Sequence, residues 1–126
     1  MANASTILSA IQVEMNMPVR RIKAHDAVKA NRGRLAVERG PVVYCAEGFD
    51  NGSGVMNKAI ASDAVFAHTT CDILGNRYPA FSVSASVANG EDKGAKCALK
   101  LIPYFAWCHR APGNEMQTWF PVLPNF

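Results

Sequence analysis

Apolar and polar residues alternate with a period of two over several short stretches, and turn-forming residues separate those stretches. The cleanest run is Ala80 to Ala88, AFSVSASVA. Phe81, Val83, Ala85 and Val87 fall on one side and Ser82, Ser84 and Ser86 on the other, which predicts a half-buried strand. Its serine face is expected to meet solvent or a neighbouring domain. Ile11 to Met17, IQVEMNM, alternates in the same way and is expected to form another strand. Pro18 interrupts it, and Val19 to Ala24 continues as a second extended piece. Two further strands, Arg34 to Arg39 and Val42 to Glu47, flank Gly40-Pro41, where the proline has no N–H for a ladder and predicts a bulge or corner. The run Val42, Val43, Tyr44, Cys45 is apolar at successive positions, as suits a strand buried on both faces. This pair of strands is the expected centre of the fold.

Gly48 and Asn51-Gly52 close that pair with turn chemistry, and Phe49 to Asn57 reads as a loop rich in Gly, Asn and Ser. Lys58 to Ala61 is expected as a short strand or a single turn, and Ala64 to Leu74 as a strand. Gly75-Asn76 is a turn, after which Pro79 restarts the chain. Asn89 to Lys96, NGEDKGAK, predicts a polar hairpin loop. Cys97 to Cys108, CALKLIPYFAWC, is expected as a long apolar strand bent at Pro103. HRAPGN, His109 to Asn114, is the last connection, and Glu115 to Val122 the closing strand of a hairpin around it. Eight or nine short strands with regular turn signals predict an all-β fold: a jelly-roll-like β-sandwich with mostly antiparallel strands. Residues 1–126 are expected to form a single domain, with 1–15 as a leading arm or strand. Seven prolines and nine glycines agree with strands and turns over long helices.

Three blocks, MPVRRIKAH from Met17 to His25, NRGRLAVERGPVVYCAEGFDN from Asn31 to Asn51, and LIPYFAWCHRAPGNEMQTWFP from Leu101 to Pro121, stand in that order. Together they resemble the C-terminal end of the β-L-arabinofuranosidase family, glycoside hydrolase family 127, over roughly residues 15–121. The resemblance implies a much longer parent, in which an (α/α)-barrel carries the catalysis and β-sandwich modules follow it. It also implies a catalytic cysteine nucleophile held by a zinc site of cysteines and a glutamate, in a barrel segment with adjacent cysteines. Cys45, Cys71, Cys97 and Cys108 are never adjacent, so those catalytic positions carry over to nothing here.

Charge and chemistry alter this picture little. The net charge is +3, and Arg20, Arg21, Lys23, Lys29, Arg32, Arg34 and Arg39 concentrate it in one region. No aromatic residue is interleaved with them to stack on bases, so they read as wet strand faces and edges, and no nucleic-acid partner is expected. No apolar run approaches the ~20 residues of a membrane span, so no membrane partner is expected. The first residues, MANASTILSAIQV, lack the basic start of a signal peptide; the chain is expected to be cytoplasmic if expressed as it stands, and the compartment of the longer parent is left open. The cysteines show no C-x-x-C or C-x-x-H spacing; no metal and no cofactor are expected, and all four are read as small hydrophobes in strands.

Glycoside hydrolysis needs two facing carboxyl groups. Glu38, Glu47 and Glu115 could be paired on paper, but they form no distinctive constellation, and His25, His68 and His109 stand apart from any nucleophile motif. No catalytic residue is assigned, and the chain is read as not an enzyme by itself. Carbohydrate binding is the stronger alternative, because sandwich modules stack sugar rings on aromatic side chains. Tyr104, Trp107, His109, Arg110 and Trp119 are the candidates, with Tyr104 and Trp107 on opposite faces of their strand and Trp119 across the hairpin. Against that stands the plainer reading that these aromatics close the core or meet the catalytic barrel. A structural or assembly module of a glycoside hydrolase is therefore placed first, an oligosaccharide-binding module second and a free-standing hydrolase last. Apolar surface left open by the absent barrel predicts a homodimer or larger assembly.

Overall fold

The computed structural model describes residues 10–123. Nine strands follow one another: β1 (Val19–Ile22), β2 (Arg34–Arg39), β3 (Val42–Glu47), β4 (Lys58–Ala61), β5 (Ala67–Ile73), β6 (Asn76–Val87), β7 (Lys96–Pro103), β8 (Met116–Gln117) and β9 (Phe120–Leu123). A single helical turn, α1 (Gly48–Asn51), follows β3, and a 3₁₀ turn (Tyr104–Ala106) follows β7. The pairing path runs β2-β9-β4-β6-β7-β3, and β3 pairs back onto β2, so the sheet closes on itself. β1 extends the β2 edge, β5 pairs the first half of β6, and β8 pairs the end of β3. Every pairing is antiparallel except β4 with β9. The fold is all-β, as expected, and its barrel-like closure belongs to the same class as the expected sandwich.

Closure gives each strand an inner and an outer face, and the period-two pattern decides which residues go where. Leu35 and Val37 of β2, Tyr44 and Ala46 of β3, Phe81, Val83 and Ala85 of β6, and Leu99 and Leu101 of β7 fill the interior with Ile60, Phe120 and Val122. Phe81 lies at its centre, edge-on to Tyr44 at 4.8 Å and to Phe66 at 6.4 Å between ring centroids. A second cluster forms on the outer face from Cys45, Cys71, Ile73, Ala80, Ile102 and Ala106, with Tyr78, Trp107 and Met116 packed on it. β3 contributes to both clusters, which is why its apolar run does not alternate.

Several expectations change. Ile11–Met17 forms no strand and pairs with none among the described residues, and Ile11, Val13 and Met15 are exposed, because no sheet edge meets its backbone. The first nine residues of the expected leading arm lie outside the described residues. Gly40-Pro41 makes a tight two-residue turn rather than a bulge, since Arg39 still pairs with Val42. Gly40 supplies φ +57°, as the first position of a II′ hairpin turn requires, and Pro41 takes the second, where no N–H is needed. Pro79 does not interrupt β6 but pairs in register with Thr70. The expected loop Phe49–Asn57 contains α1 and a 3₁₀ turn at Val55–Asn57.

The largest revision concerns the last third of the chain. Cys97–Cys108 is not one bent strand: β7 stops at Pro103, and the chain turns through Tyr104–Ala106. Cys108 therefore lies outside any strand, exposed and at φ +67°. No hairpin forms around HRAPGN, because β8 pairs with β3 rather than with β7. The expected closing strand is divided at Thr118-Trp119, so that β8 meets β3 while β9 passes between β2 and β4.

Candidate functional site

The segment 104–110, which leaves the end of β7, carries four of the five residues singled out above. It is anchored by Ala106, only 1% exposed within the outer cluster, while the flanking Tyr104 and Phe105 face outward. Trp107 is half-buried against the same cluster, its N–H donating to the Tyr104 carbonyl at 3.2 Å. Because the backbone is a 3₁₀ turn, Tyr104 and Trp107 do not occupy opposite faces of a strand. His109 is exposed beyond them.

Arg110 ends the segment in a buried ion network. Its guanidinium donates to both oxygens of Asp50, at 2.8 and 2.7 Å, and to Glu47 Oε1 at 2.8 Å. It also lies 4.3 Å over the ring of Phe49. The Glu47 side chain is fully buried at the end of β3, and its second oxygen accepts from the Cys108 N–H at 2.6 Å. Asp50 comes from α1, where Asn51 reaches across to the Lys100 backbone with both amide atoms, at 3.0 and 2.8 Å. The Asp50 hydrogen bonds raise the Arg110 pKa still further above its already basic value, against the opposing effect of burial. The arginine is thus permanently charged, as two buried carboxylates require. This network fastens residues 104–110 to the sheet. Its signal in the sequence was an acid ending a strand that is otherwise buried on both faces.

The same segment forms one wall of an apolar groove of about 450 Å³. The groove is lined by Met15, Met17, Arg39, Pro41, Val42, Tyr44, Tyr78, Pro79, Pro103 and Phe105, with Phe105 edge-on to Tyr78 at 5.4 Å. Its walls come from the segment before β1, the β2–β3 turn, β6 and the end of β7. Sequence reasoning missed Phe105 and the two methionines as surface features, because it placed them within strands.

Trp119 lies apart from these residues. It lines a separate hollow of about 320 Å³ with Asn31, Arg34, Met56, Met116 and Gln117, and its carbonyl accepts from Arg34 Nη1 at 2.9 Å. The structure therefore gathers Tyr104, Trp107, His109 and Arg110 on one segment and leaves Trp119 at another hollow. Among the carboxylates weighed earlier, Glu38 pairs with Arg20, and Glu115 accepts from the Gly54 N–H at 3.2 Å. The Cys45 thiol is pushed up to about 12 by burial and then by the nearby Glu47 and Asp50, so it is not a nucleophile at neutral pH. Burial raises the Cys71 thiol as well.

Residues 19–121 match the family model for the glycoside hydrolase family 127 C-terminal domain. The chain is 32% identical over 120 residues to the non-reducing end β-L-arabinofuranosidase of Bifidobacterium longum subsp. longum, a match covering 82% of this chain and 18% of that enzyme. Among solved structures, the GH127 β-L-arabinofuranosidase from Geobacillus stearothermophilus T6 superposes with a TM-score of 0.75 at 34% identity, covering 85% of this chain and 18% of the other. A GH127 β-arabinofuranosidase gives a TM-score of 0.74 at 36% identity, covering 85% of this chain and 17% of its own. The chain thus spans about a fifth of the length of these relatives.

Proposed function

The chain belongs to the glycoside hydrolase family 127 C-terminal domain family, and from that membership we propose that it is a non-catalytic structural and assembly module of a β-L-arabinofuranosidase-like glycoside hydrolase. The observation that carries this reading is the apolar groove with its exposed rim. Met15, Tyr104 and Phe105 are all substantially exposed on or beside it, next to walls of proline, valine and tyrosine. Contiguous apolar surface of this kind is a contact surface. In the relatives about four-fifths of the chain lies outside the matched region. A catalytic barrel is the first candidate partner, and a second copy of the module is another.

A sugar-binding module is the second reading. Tyr104 favours it, being an exposed ring on a rigid turn, with Trp107, His109 and Arg110 close by in sequence. Three observations weigh against it: Trp107 packs on the outer cluster, Arg110 is committed to Glu47 and Asp50, and Trp119 lines another hollow. Calorimetric titration of the chain with oligosaccharides, arabinose-containing ones included, separates the two readings. The module reading expects no binding tighter than about 1 mM, or roughly −4 kcal/mol. Saturable binding that is lost in Trp107→Ala or Trp119→Ala would replace it with the second. Light scattering of the chain alone tests assembly, with a homodimer or larger expected and a monodisperse monomer counting against it.

A further inference from the structure

We infer that Asn51 is a modification site, a deamidation latch: the docked α1 turn protects its amide from the adjacent Gly52, and conversion to an acid after local opening unfastens α1 irreversibly. The sequence holds two Asn-Gly pairs, Asn51-Gly52 and Asn89-Gly90. Glycine has no side chain to shield its backbone nitrogen, so that nitrogen can close on the amide carbon of the asparagine before it. A new N–C bond forms, the side-chain nitrogen leaves as ammonia with the proton of the glycine N–H, and a succinimide ring results. Water then adds at either ring carbonyl and opens the ring to aspartic or isoaspartic acid, which ionises at neutral pH. The reaction needs no reagent beyond water.

The fold holds the two pairs differently. Asn51 Nδ2 donates to the carbonyls of Glu47 and Lys100, both at 3.0 Å, and its Oδ1 accepts from the Lys100 N–H at 2.8 Å. The Gly52 N–H, which carries the attacking nitrogen, donates to the Gly48 carbonyl at 2.7 Å. Both reacting groups are committed, and they meet only when α1 lifts. α1 is a single turn with no buried residue, so lifting it needs no global unfolding. Asn89, by contrast, is exposed, and its side chain has no hydrogen bond among the described residues; Asn57 holds only its backbone, at 2.8 and 3.1 Å. Conversion at Asn51 also has a structural consequence. A carboxylate donates no hydrogen bond, so it faces the Glu47 and Lys100 carbonyls unpaired. It adds a negative charge next in the chain to Asp50, which already shares Arg110 with Glu47. Isoaspartate lengthens the backbone before Gly52 by one carbon and displaces its N–H from Gly48. Asp50 lies on the same turn, so the fastening of residues 104–110 loosens with it.

Peptide mapping with isoaspartate detection, during incubation of the whole chain in mildly alkaline buffer, tests this. Asn89 is expected to convert near the rate of a short peptide of its own sequence. Asn51 is expected to convert more slowly by about tenfold or more, the gap measuring how rarely α1 opens. In urea above the unfolding midpoint the two rates should approach each other. Phe49→Leu and Arg110→Ala, which weaken the fastening, should speed Asn51 and leave Asn89 unchanged. Asn51→Asp should raise hydrogen exchange at 104–115 while the β5–β6 ladder stays protected, a regional change that a general loss of stability does not give. If Asn51 converts as fast as Asn89 in the folded chain, or stays slow in urea, the protection by α1 is overturned. Unchanged exchange in Asn51→Asp would overturn the latch.

Discussion

The two apolar clusters lie on opposite faces of β3, β6 and β7, yet they are built differently. The inner cluster has fifteen buried members, all apolar in type, and twelve of them lie on strands, with Val55, Ala64 and Phe66 added from the connections. The outer one has six, small or medium in size, and is covered by residues 104–110, which belong to no strand. Enclosure alone holds the inner cluster, because closing the sheet removes it from water. The outer cluster needs a fastening, supplied by Glu47, Asp50 and Arg110 over a sequence separation of about sixty residues. One region is stabilised by area and the other by a few charged hydrogen bonds. They should fail in different ways.

The largest effect is expected in the interior. Phe81→Ala should cost about 3–5 kcal/mol of global stability in urea unfolding, since it removes the ring at the centre of the edge-on aromatic contacts. Arg110→Ala should cost about 3 kcal/mol, because two buried carboxylates lose their counter-ion. Its loss should be regional, with hydrogen exchange rising first at 104–115 while the β6–β7 ladder stays protected. Equal loosening of both regions would contradict the division between them.

Alkaline pH reaches the outer cluster from another direction. Cys45 has a pKa raised to about 12 in the fold, mainly by burial, against an ordinary value of 9.0. A raised pKa means that its contribution is complete below pH 9 and is lost as pH climbs toward 12, because only the unfolded chain releases the proton freely. Stability should fall by about 2–3 kcal/mol by pH 11, and Cys45→Ala should flatten that slope by one proton. A slope unchanged in the variant would show that the loss arises elsewhere, for instance at Tyr44, whose hydroxyl burial also raises. The smallest effect is that of Phe49→Leu, which removes the ring beneath Arg110 and should cost about 0.5–1 kcal/mol. If it costs nothing, the two carboxylates alone hold the fastening.

The difference between the clusters also explains what could be read from the chain. β2 and β3 are found at the expected boundaries, and Phe81, Val83 and Ala85 point inward as their alternation with serine required. These features are local: a pleated strand turns every second side chain the same way, whatever its neighbours. Ile11–Met17 shows the limit of that logic, since alternation supplies a face but cannot supply a strand for its backbone to join. Residues 104–108 show it again. Their apolar character suited a strand, yet Pro103 ended the ladder, and a buried arginine with two acids determined the path beyond it.

By itself the sequence determined the strand class, most strand positions, the inner face and, through three ordered motifs, the family resemblance. Tertiary structure alone decided that β3 pairs back onto β2, that β8 and β9 separate to opposite parts of the sheet, and that Arg110 reaches Glu47 and Asp50. It also placed Trp119 away from Trp107 and brought Met15, Arg39, Tyr78 and Phe105 around one groove. The physical reason is range. Side-chain alternation is fixed by the geometry of adjacent peptides, whereas partners dozens of residues apart are chosen only when the whole chain has closed.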